Sequence, residues 1–344
     1  MVLKTKLILG NKIFSAVSPA DWDHLARGAI TDTPFQTHAY QQAWWTNLGR
    51  GELVSAVVTD EFDQLVGLAV FLLEEGVLQF NASKEETDYL DIIVKAEQAE
   101  AVWSAVLDCL CTNQTCPAWA TLDCWNIPSE SPSKSILPQL AQSRGFSFSF
   151  SLSEERAEVC PAIPLSETFD EYLAGINKKQ RGEIRRKMKK AAEAGVSVQV
   201  IGAQDDLDLA IKDFLHLLQC STPDKKGWLE ELPTRGEVFH TVAKAALEAG
   251  TLLLMFTVID GERISALFNF IYDGRVWVYN SGNDISKYPN LSLGWVLTAH
   301  AIQQGIERGC HTFDFLRGDE TYKYRFGAKD TEIFRLTLKK EMAH

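Results

Sequence analysis

Residues 251–282 read TLLLMFTVIDGERISALFNFIYDGRVWVYNSG. Three apolar runs rich in β-branched and aromatic residues are punctuated there by Asp260-Gly261 and Asp273-Gly274. Asp-Gly between such runs is a strong hairpin signal, because a tight type I′ turn needs φ > 0 at both central positions. The stretch therefore predicts three consecutive antiparallel strands. Upstream of it lie a basic helix over 178–194 ending at Gly195, a strand over 196–202, a helix whose apolar stripe is Leu207, Ile211, Phe214, Leu215 and Leu218, and a helix from Gly236 to Leu247. Downstream, a helix from Leu291 to Arg308 carries Trp295, Ala299, Ile302 and Ile306 on one face. The strand HTFDFLRG, the short segment TYKYRFG and the strand EIFRLTLKK then complete this half.

The N-terminal half is read the same way. After a strand-like start, residues 20–48 are read as helical, with Phe35, Tyr40, Trp44 and Trp45 as core aromatics. ELVSAVVTDEF and QLVGLAVFLLEEG form a hairpin turning about Asp63. A helix from Ala96 to Cys111 buries Ala99, Val102, Trp103, Val106 and Leu110, and the strand AWATLDCWNIP follows. A Ser/Pro-rich loop, a short helix ending at Gly145 and a last strand close the half. The segment 157–176 holds two prolines and a capping-box-like start from Ser166 to Phe169, which puts the domain boundary near 165. The expected fold is α/β with mixed sheets in two domains, 1–165 and 166–344, each a mostly antiparallel sheet flanked by helices.

Length supports that division, since 344 residues exceed one ordinary hydrophobic core. With 46% apolar and 23% charged residues the chain has a soluble globular composition. A net charge of -12 excludes broad adsorption to nucleic acid or anionic membrane, so DNA is not an expected partner and any polyanion must be met locally. No run approaches a membrane span and the N-terminus lacks a signal-peptide pattern, so a cytoplasmic location is expected. Seven scattered cysteines read as reduced thiols. Cys109, Cys111, Cys116 and Cys124 fit none of the usual zinc spacings, and no metal site is expected.

Several runs resemble the CelD/BcsL-type, FemAB-like branch of the GNAT acyltransferases. Asn177 to Lys187 (NKKQRGEIRRK) is similar to the basic helix that opens their catalytic half, and Phe313 to Gly327 (FDFLRGDETYKYRFG) to their closing signature. Phe35-Gln36 with Trp44-Trp45, and Asp88-Tyr89-Leu90-Asp91, resemble their first half. The resemblance implies two tandem GNAT-like domains, the N-terminal one degenerate. It also implies that RVWVYNSG and HTFDFLRG are strands that diverge to admit an acyl donor beside the helix that starts near 292. The glycine-rich pyrophosphate loop of ordinary GNAT enzymes is missing; Lys287 to Gly294 (KYPNLSLG) stands in its place.

On that basis Tyr279, Asn280, Ser281, Ser292, Leu293 and Gly294 are expected at the donor. Helix N-termini hold phosphate or carbonyl oxygens through unpaired N–H groups, though Ser292 can equally be an ordinary cap. Direct acyl transfer needs a base, an oxyanion stabiliser and a proton for the leaving group. Lys323 is the candidate stabiliser, Tyr322 or Tyr324 the proton donor, and Asp314 a base or substrate ligand. The alternative has Lys323 as a surface lysine and the tyrosines as core. Asp88, Tyr89, Asp91 and Asp319 are acceptor candidates; the alternative for Asp88 and Asp91 is a turn role, and for Asp319 a bond to backbone amides or pairing with Arg317 and Lys323. Lys178, Arg181 and Arg185 share a helical face that is either solvated or binds phosphate. The expected activity is transfer from acyl-CoA, a co-substrate and not a resident cofactor, to an amine or hydroxyl of a small molecule or sugar-bearing polysaccharide precursor. Alternatives are aminoacyl transfer from aminoacyl-tRNA and a non-catalytic accessory role in envelope polysaccharide synthesis.

Overall fold

The structure, a computed structural model, describes residues 2–144, 146–151 and 158–340. In chain order the first elements are β1 (Lys4–Leu9), α1 (Ile13–Ala16), α2 (Pro19–Ala26), α3 (His38–Leu48), β2 (Glu52–Thr59), β3 (Leu65–Glu74), β4 (Val77–Phe80) and β5 (Ile93–Val94). Then come α4 (Ala99–Thr112), β6 (Thr121–Pro128), α5 (Ser133–Ser143), β7 (Phe146–Ser151), β8 (Ala162–Pro164), α6 (Phe169–Gly175), α7 (Lys178–Glu193) and β9 (Ser197–Val200). The remainder is α8 (Leu207–Ser221), α9 (Pro223–Glu231), α10 (Arg235–Glu248), β10 (Leu252–Ile259), β11 (Glu262–Tyr272), β12 (Arg275–Asn283), α11 (Leu293–Glu307), β13 (Thr312–Asp314), α12 (Thr321–Arg325) and β14 (Ile333–Lys340).

The chain divides into two compact units, Met1–Glu158 with Thr331–His344, and Val159–Asp330. The fold is mixed α/β, one helix-flanked sheet to each unit. In unit 1 the strands run β1-β2-β3-β4-β6-β14-β7, with β5 paired to β3, and among the described residues only β4 and β6 pair in parallel. The expected hairpin at Asp63 is present, that residue taking φ 60°. Gly67 admits α4 to the sheet, because a Cβ there would meet Val102 Cγ1 at 2.4 Å. The helix expected over 20–48 is two helices, since Gly28 takes φ 75° and Pro34 opens a separate 3₁₀ turn. Gly145, expected to end α5, lies outside the described residues.

Strand β14 corrects the sequence reading, which joins it to the second half. It pairs with β6 and β7 in the sheet of unit 1. Its alternation of apolar and polar residues dictates a strand but carries no information about the partner. Likewise Ala162–Pro164, read as connection, is an edge strand on β13, so unit 2 begins at Val159. The capping box before α6 is Thr168 with Glu171, two residues beyond the expected Ser166.

Unit 2 orders its strands β8-β13-β12-β11-β10-β9. The turns at 260–261 and 273–274 all have positive φ (52°, 79°, 47° and 62°), as the Asp-Gly signal demands. Strand β10 is buried throughout Leu252 to Phe256 because helices cover both faces. Leu253, Met255, Leu267, Val276 and Val278 pack with Leu297, Ala301 and Ile302 of α11. The alternate residues Phe268 and Phe270 meet Tyr279, and Phe268 also meets Phe214 of α8 and Phe239 of α10, with ring centroids 5.4–5.8 Å apart. Among the described residues, no helix is long and apolar enough to cross a membrane.

Candidate active site

Strands β12 and β13 are parallel and pair only from Arg275–Thr312 to Trp277–Asp314. Beyond that point β12 continues to Asn283 paired with β11 and parted from β13. A register shift between Phe268 and Asn269 puts Asn280 opposite the first and Val278 opposite the second, so Tyr279 is the extra residue of a β-bulge. A bulge bends its strand and re-aims the residues beyond it. The β12–α11–β13 crossover then returns the chain, so α11 starts at the end of the sheet where the two strands part. A Cβ on Gly294 would lie 3.9 Å from Asn283, which ties that helix start to the end of β12.

At the helix start, Ser292 takes φ 55° in the left-handed region and makes no side-chain capping bond. The ordinary-cap alternative is thereby corrected: Ser292 contributes its carbonyl, which accepts from the Val296 N–H at 3.1 Å. Leu293 buries its side chain with Ile259 and Ile264, so what it offers a ligand is main chain. Helix α7 flanks the same turn. Lys190 Nζ donates to the Asn290 carbonyl at 3.0 Å, and Lys187 Nζ sits 3.9 Å from the centre of the Trp295 ring while pairing with Glu183 at 3.1 Å. The basic residues picked from the helical face lie elsewhere. Arg181 donates to the carbonyls of Leu173 and Ala174 at the end of α6, Arg185 pairs with Asp170 at 2.9 Å, and Lys178 is exposed.

The loop after β13 is built around a buried cation. Asp314 is buried and its Oδ1 accepts from the Leu316 N–H at 2.8 Å, while Leu316 and Gly318 take φ 57° and 106°. These turns aim three carbonyls inward. Lys323, 2% exposed, donates to Leu316 O at 3.1 Å, Arg317 O at 2.6 Å and Gly318 O at 3.0 Å, and meets Glu320 Oε2 at 2.9 Å. An ammonium has three N–H groups, so four protein acceptors leave none over for a substrate oxygen. Lys323 is therefore neither the surface lysine nor the oxyanion donor that the sequence offers as its two readings; it organises the loop.

Tyr322 packs edge-on against Phe315 at 5.9 Å, and burial, reinforced by the charge of Glu320, pushes its phenol well up. Tyr324 donates its hydroxyl to Asp330 Oδ1 at 2.7 Å, and burial with that hydrogen bond pushes it up to about 12. Both phenols stay protonated near neutrality. Asn280 accepts from the Ser281 N–H at 2.9 Å through Oδ1, and Asp319 is exposed.

The sequence reading misses Lys225. Helix α8 ends at Ser221, whose hydroxyl accepts from the Asn283 N–H at 2.7 Å. Thr222 turns the chain with φ -148° and caps α9, and Pro223 takes the first helical position. Lys225 then reaches β12, where Nζ donates to Ser281 O at 2.6 Å and Ser281 Oγ at 3.0 Å. Gly282 makes the approach possible, since a Cβ there would fall 2.6 Å from the Leu218 nitrogen. Burial draws the Lys225 ammonium down to about 8; Glu320 opposes that shift and Lys323 adds to it. One local signal was readable: a lysine in the first helical turn opposes the helix dipole.

In unit 1, Asp91 is buried and accepts from Thr31 Oγ1 at 3.1 Å, Ser133 Oγ at 2.7 Å, the Ile92 N–H at 2.8 Å and the Ser131 hydroxyl. Four internal donors correct its reading as an acceptor contact: it fastens its own loop. Burial still pushes its carboxyl up to about 6, against the pull of those donors. Tyr89 is buried as well, and Asp88 is half-buried.

A sheet whose fourth and fifth main strands part around a helix start is the arrangement of GNAT acyltransferase-type domains. Residues 178–324 match the family described as acetyltransferase (GNAT) domain, a span running from α7 into α12. No curated protein matches the chain in sequence. Among solved structures, that of FemX aligns with a TM-score of 0.68 at 12% identity, covering 93% of this chain and 96% of its own. L-PGS from Bacillus licheniformis aligns at 0.58 and 11% identity, over 95% of this chain and 93% of that one. A tandem GNAT protein from the clavulanic acid biosynthesis pathway aligns at 0.53 and 12% identity, over 100% of both. At such identities the likeness is one of fold: tandem GNAT-like and FemAB-like.

Proposed function

We propose that the protein is an acyltransferase whose unit 2 holds an acyl thioester, such as acyl-CoA, between the diverging ends of β12 and β13. The observation that carries this reading is the parting of the strands after Trp277 and Asp314, with the bulge at Tyr279 and the start of α11 beside it. The thioester carbonyl would lie along Tyr279 to Ser281. Phosphates would meet the first turn of α11 at Ser292 to Gly294, with Lys187 and Lys190 beside it. An amine or hydroxyl then attacks the carbonyl carbon, and the thiol leaves. Tyr322 is read as a hydrogen-bond donor to substrate, Asp314 as support for the loop, and Asp319 and Asp88 as acceptor contacts. A sugar-bearing polysaccharide precursor as acceptor and CelD/BcsL-type kinship rest on the resemblance of the 35–45, 88–91, 177–187 and 313–327 runs, and a cytoplasmic setting is part of the same proposal.

A second reading, aminoacyl transfer from charged tRNA, is favoured by the basic side chains of α7 beside α11. Thermal unfolding with acetyl-CoA, with aminoacyl-tRNA and with neither separates the two. A ligand at 100 times its dissociation constant adds about 2.7 kcal/mol to the native state. Stabilisation by acetyl-CoA is expected; stabilisation by charged tRNA alone favours the second reading, and none by either sinks both.

A further inference from the structure

Acyl transfer to a neutral nucleophile requires a group that accepts one proton and returns it to the leaving sulfur. Such a group must stand beside the donor strand with a lone pair to offer. The lysines near this strand are fixed in different ways. Lys323 has four acceptors around Nζ, more than its N–H groups can serve. Lys225 has two, the carbonyl and the hydroxyl of Ser281.

Two fixed acceptors leave Nζ one further position, an N–H in the ammonium and a lone pair in the neutral amine, through which a proton can be exchanged. We infer that Lys225 is the catalytic base of the transfer, taking the proton of the attacking amine or hydroxyl and returning it to the departing thiolate. This rests on the acyl-transfer reading above. As the nucleophile's lone pair bonds to the carbonyl carbon, its proton passes to Lys225 Nζ. When the C–S bond breaks, its electron pair leaves with sulfur, and the ammonium returns the proton to give free thiol. No other reactant is consumed, and the lysine ends as it began.

The surroundings agree with that assignment. Burial holds the ammonium down to about 8, where both protonation states are populated near neutral pH, the range in which a general base works best. The charges that reach it are Glu320 and Lys323, on the loop and helix after β13, and these two are already paired with each other. Its partner on β12 is the neutral Ser281, and on its own helix the neighbouring Lys226 turns to Glu230 at 3.8 Å.

The test uses the full chain with lysine side chains labelled at Cε for NMR titration, alongside thiol release from acetyl-CoA with water as acceptor. Lys225→Met identifies the resonance. One lysine should titrate near 8 and vanish in Lys225→Met. That variant should keep acetyl-CoA affinity within about threefold and lose about 100-fold or more in kcat, with the acidic limb of the pH profile abolished. Lys225→Arg, a permanent cation, should not restore turnover. A Lys225 resonance titrating above 10 overturns the inference whatever acetyl-CoA does. So does Lys225→Met retaining its rate and acidic limb, or wild-type protein that binds acetyl-CoA yet releases no more thiol than the variant. Failure to bind acetyl-CoA at all instead removes the acyl-transfer reading, and this base with it.

Discussion

Lys323→Met keeps most of the side-chain volume while removing the ammonium at the centre of the 316–318 loop. Three carbonyls then lose their donor, that of Leu316 in a buried setting and those of Arg317 and Gly318 in partly buried ones. Each buried carbonyl left unmatched costs about 1–3 kcal/mol, with the half-exposed pair at the low end because water reaches them. Glu320 adds little, since its side chain is 57% exposed and stays hydrated. Leu316, at φ 57°, also loses one of the two bonds that flank its left-handed conformation, a state worth about 1–2 kcal/mol of strain, and keeps the one from its N–H to Asp314. Because the loop can relax, the net expectation is about 3 kcal/mol and not the sum. At a urea dependence of about 2 kcal/mol per M, the midpoint of unit 2 should fall by about 1.5 M. Hydrogen exchange at amides 316–318 should rise in parallel. A loss below about 1 kcal/mol, with a large fall in kcat, would show that Lys323 acts on substrate and refute the loop-organising account.

The same contacts lead to further outcomes. The folded pKa of Lys225 lies below its unfolded 10.5, so its burial cost is present below about pH 8 and is relieved as pH climbs toward 10.5; across that window the unfolding free energy of wild type should rise relative to that of Lys225→Met. Asp91 has its folded pKa raised to about 6 from 3.8, so its own contribution to unit 1 is fully present below about pH 3.8 and about 3 kcal/mol of it is lost as pH rises through that interval, a loss that the difference in urea midpoint between wild type and Asp91→Asn should report. Gly282→Ala forces a Cβ against the α8 backbone at 2.6 Å; a melting experiment should report a loss of about 1–3 kcal/mol, and a neutral result would mean α8 can shift freely on β12.

Much of unit 2 was legible because its decisive signals are local. The Asp-Gly pairs at 260–261 and 273–274 encode their turns by backbone conformation alone, and the apolar stripe of α11 encodes its burial. What sequence could not supply was partnership. β14 alternates like any half-buried strand, so its place between β6 and β7 rests on long-range pairing that no local pattern encodes. The surface alternative for Lys323 rested on how seldom lysines bury, and the left-handed turns at Leu316 and Gly318 gather the carbonyls that make burial tolerable. Periodicity put Lys178, Arg181 and Arg185 on one face without saying what that face meets; α6 takes the arginines, while Lys187 and Lys190 approach α11. Lys225 escaped notice because little local marks it, and its role depends on a contact with Ser281, 56 residues away.

The central claim is that the parting of β12 from β13 receives an acyl thioester. Backbone amide NMR during titration with acetyl-CoA tests it most directly. The account predicts saturable shifts centred on residues 278–282 of β12 and 292–295 of α11, with the amides of unit 1's β2 and β3 unmoved. Saturating acetyl-CoA that leaves residues 278–282 and 292–295 undisturbed, or that shifts only residues outside unit 2, would contradict it.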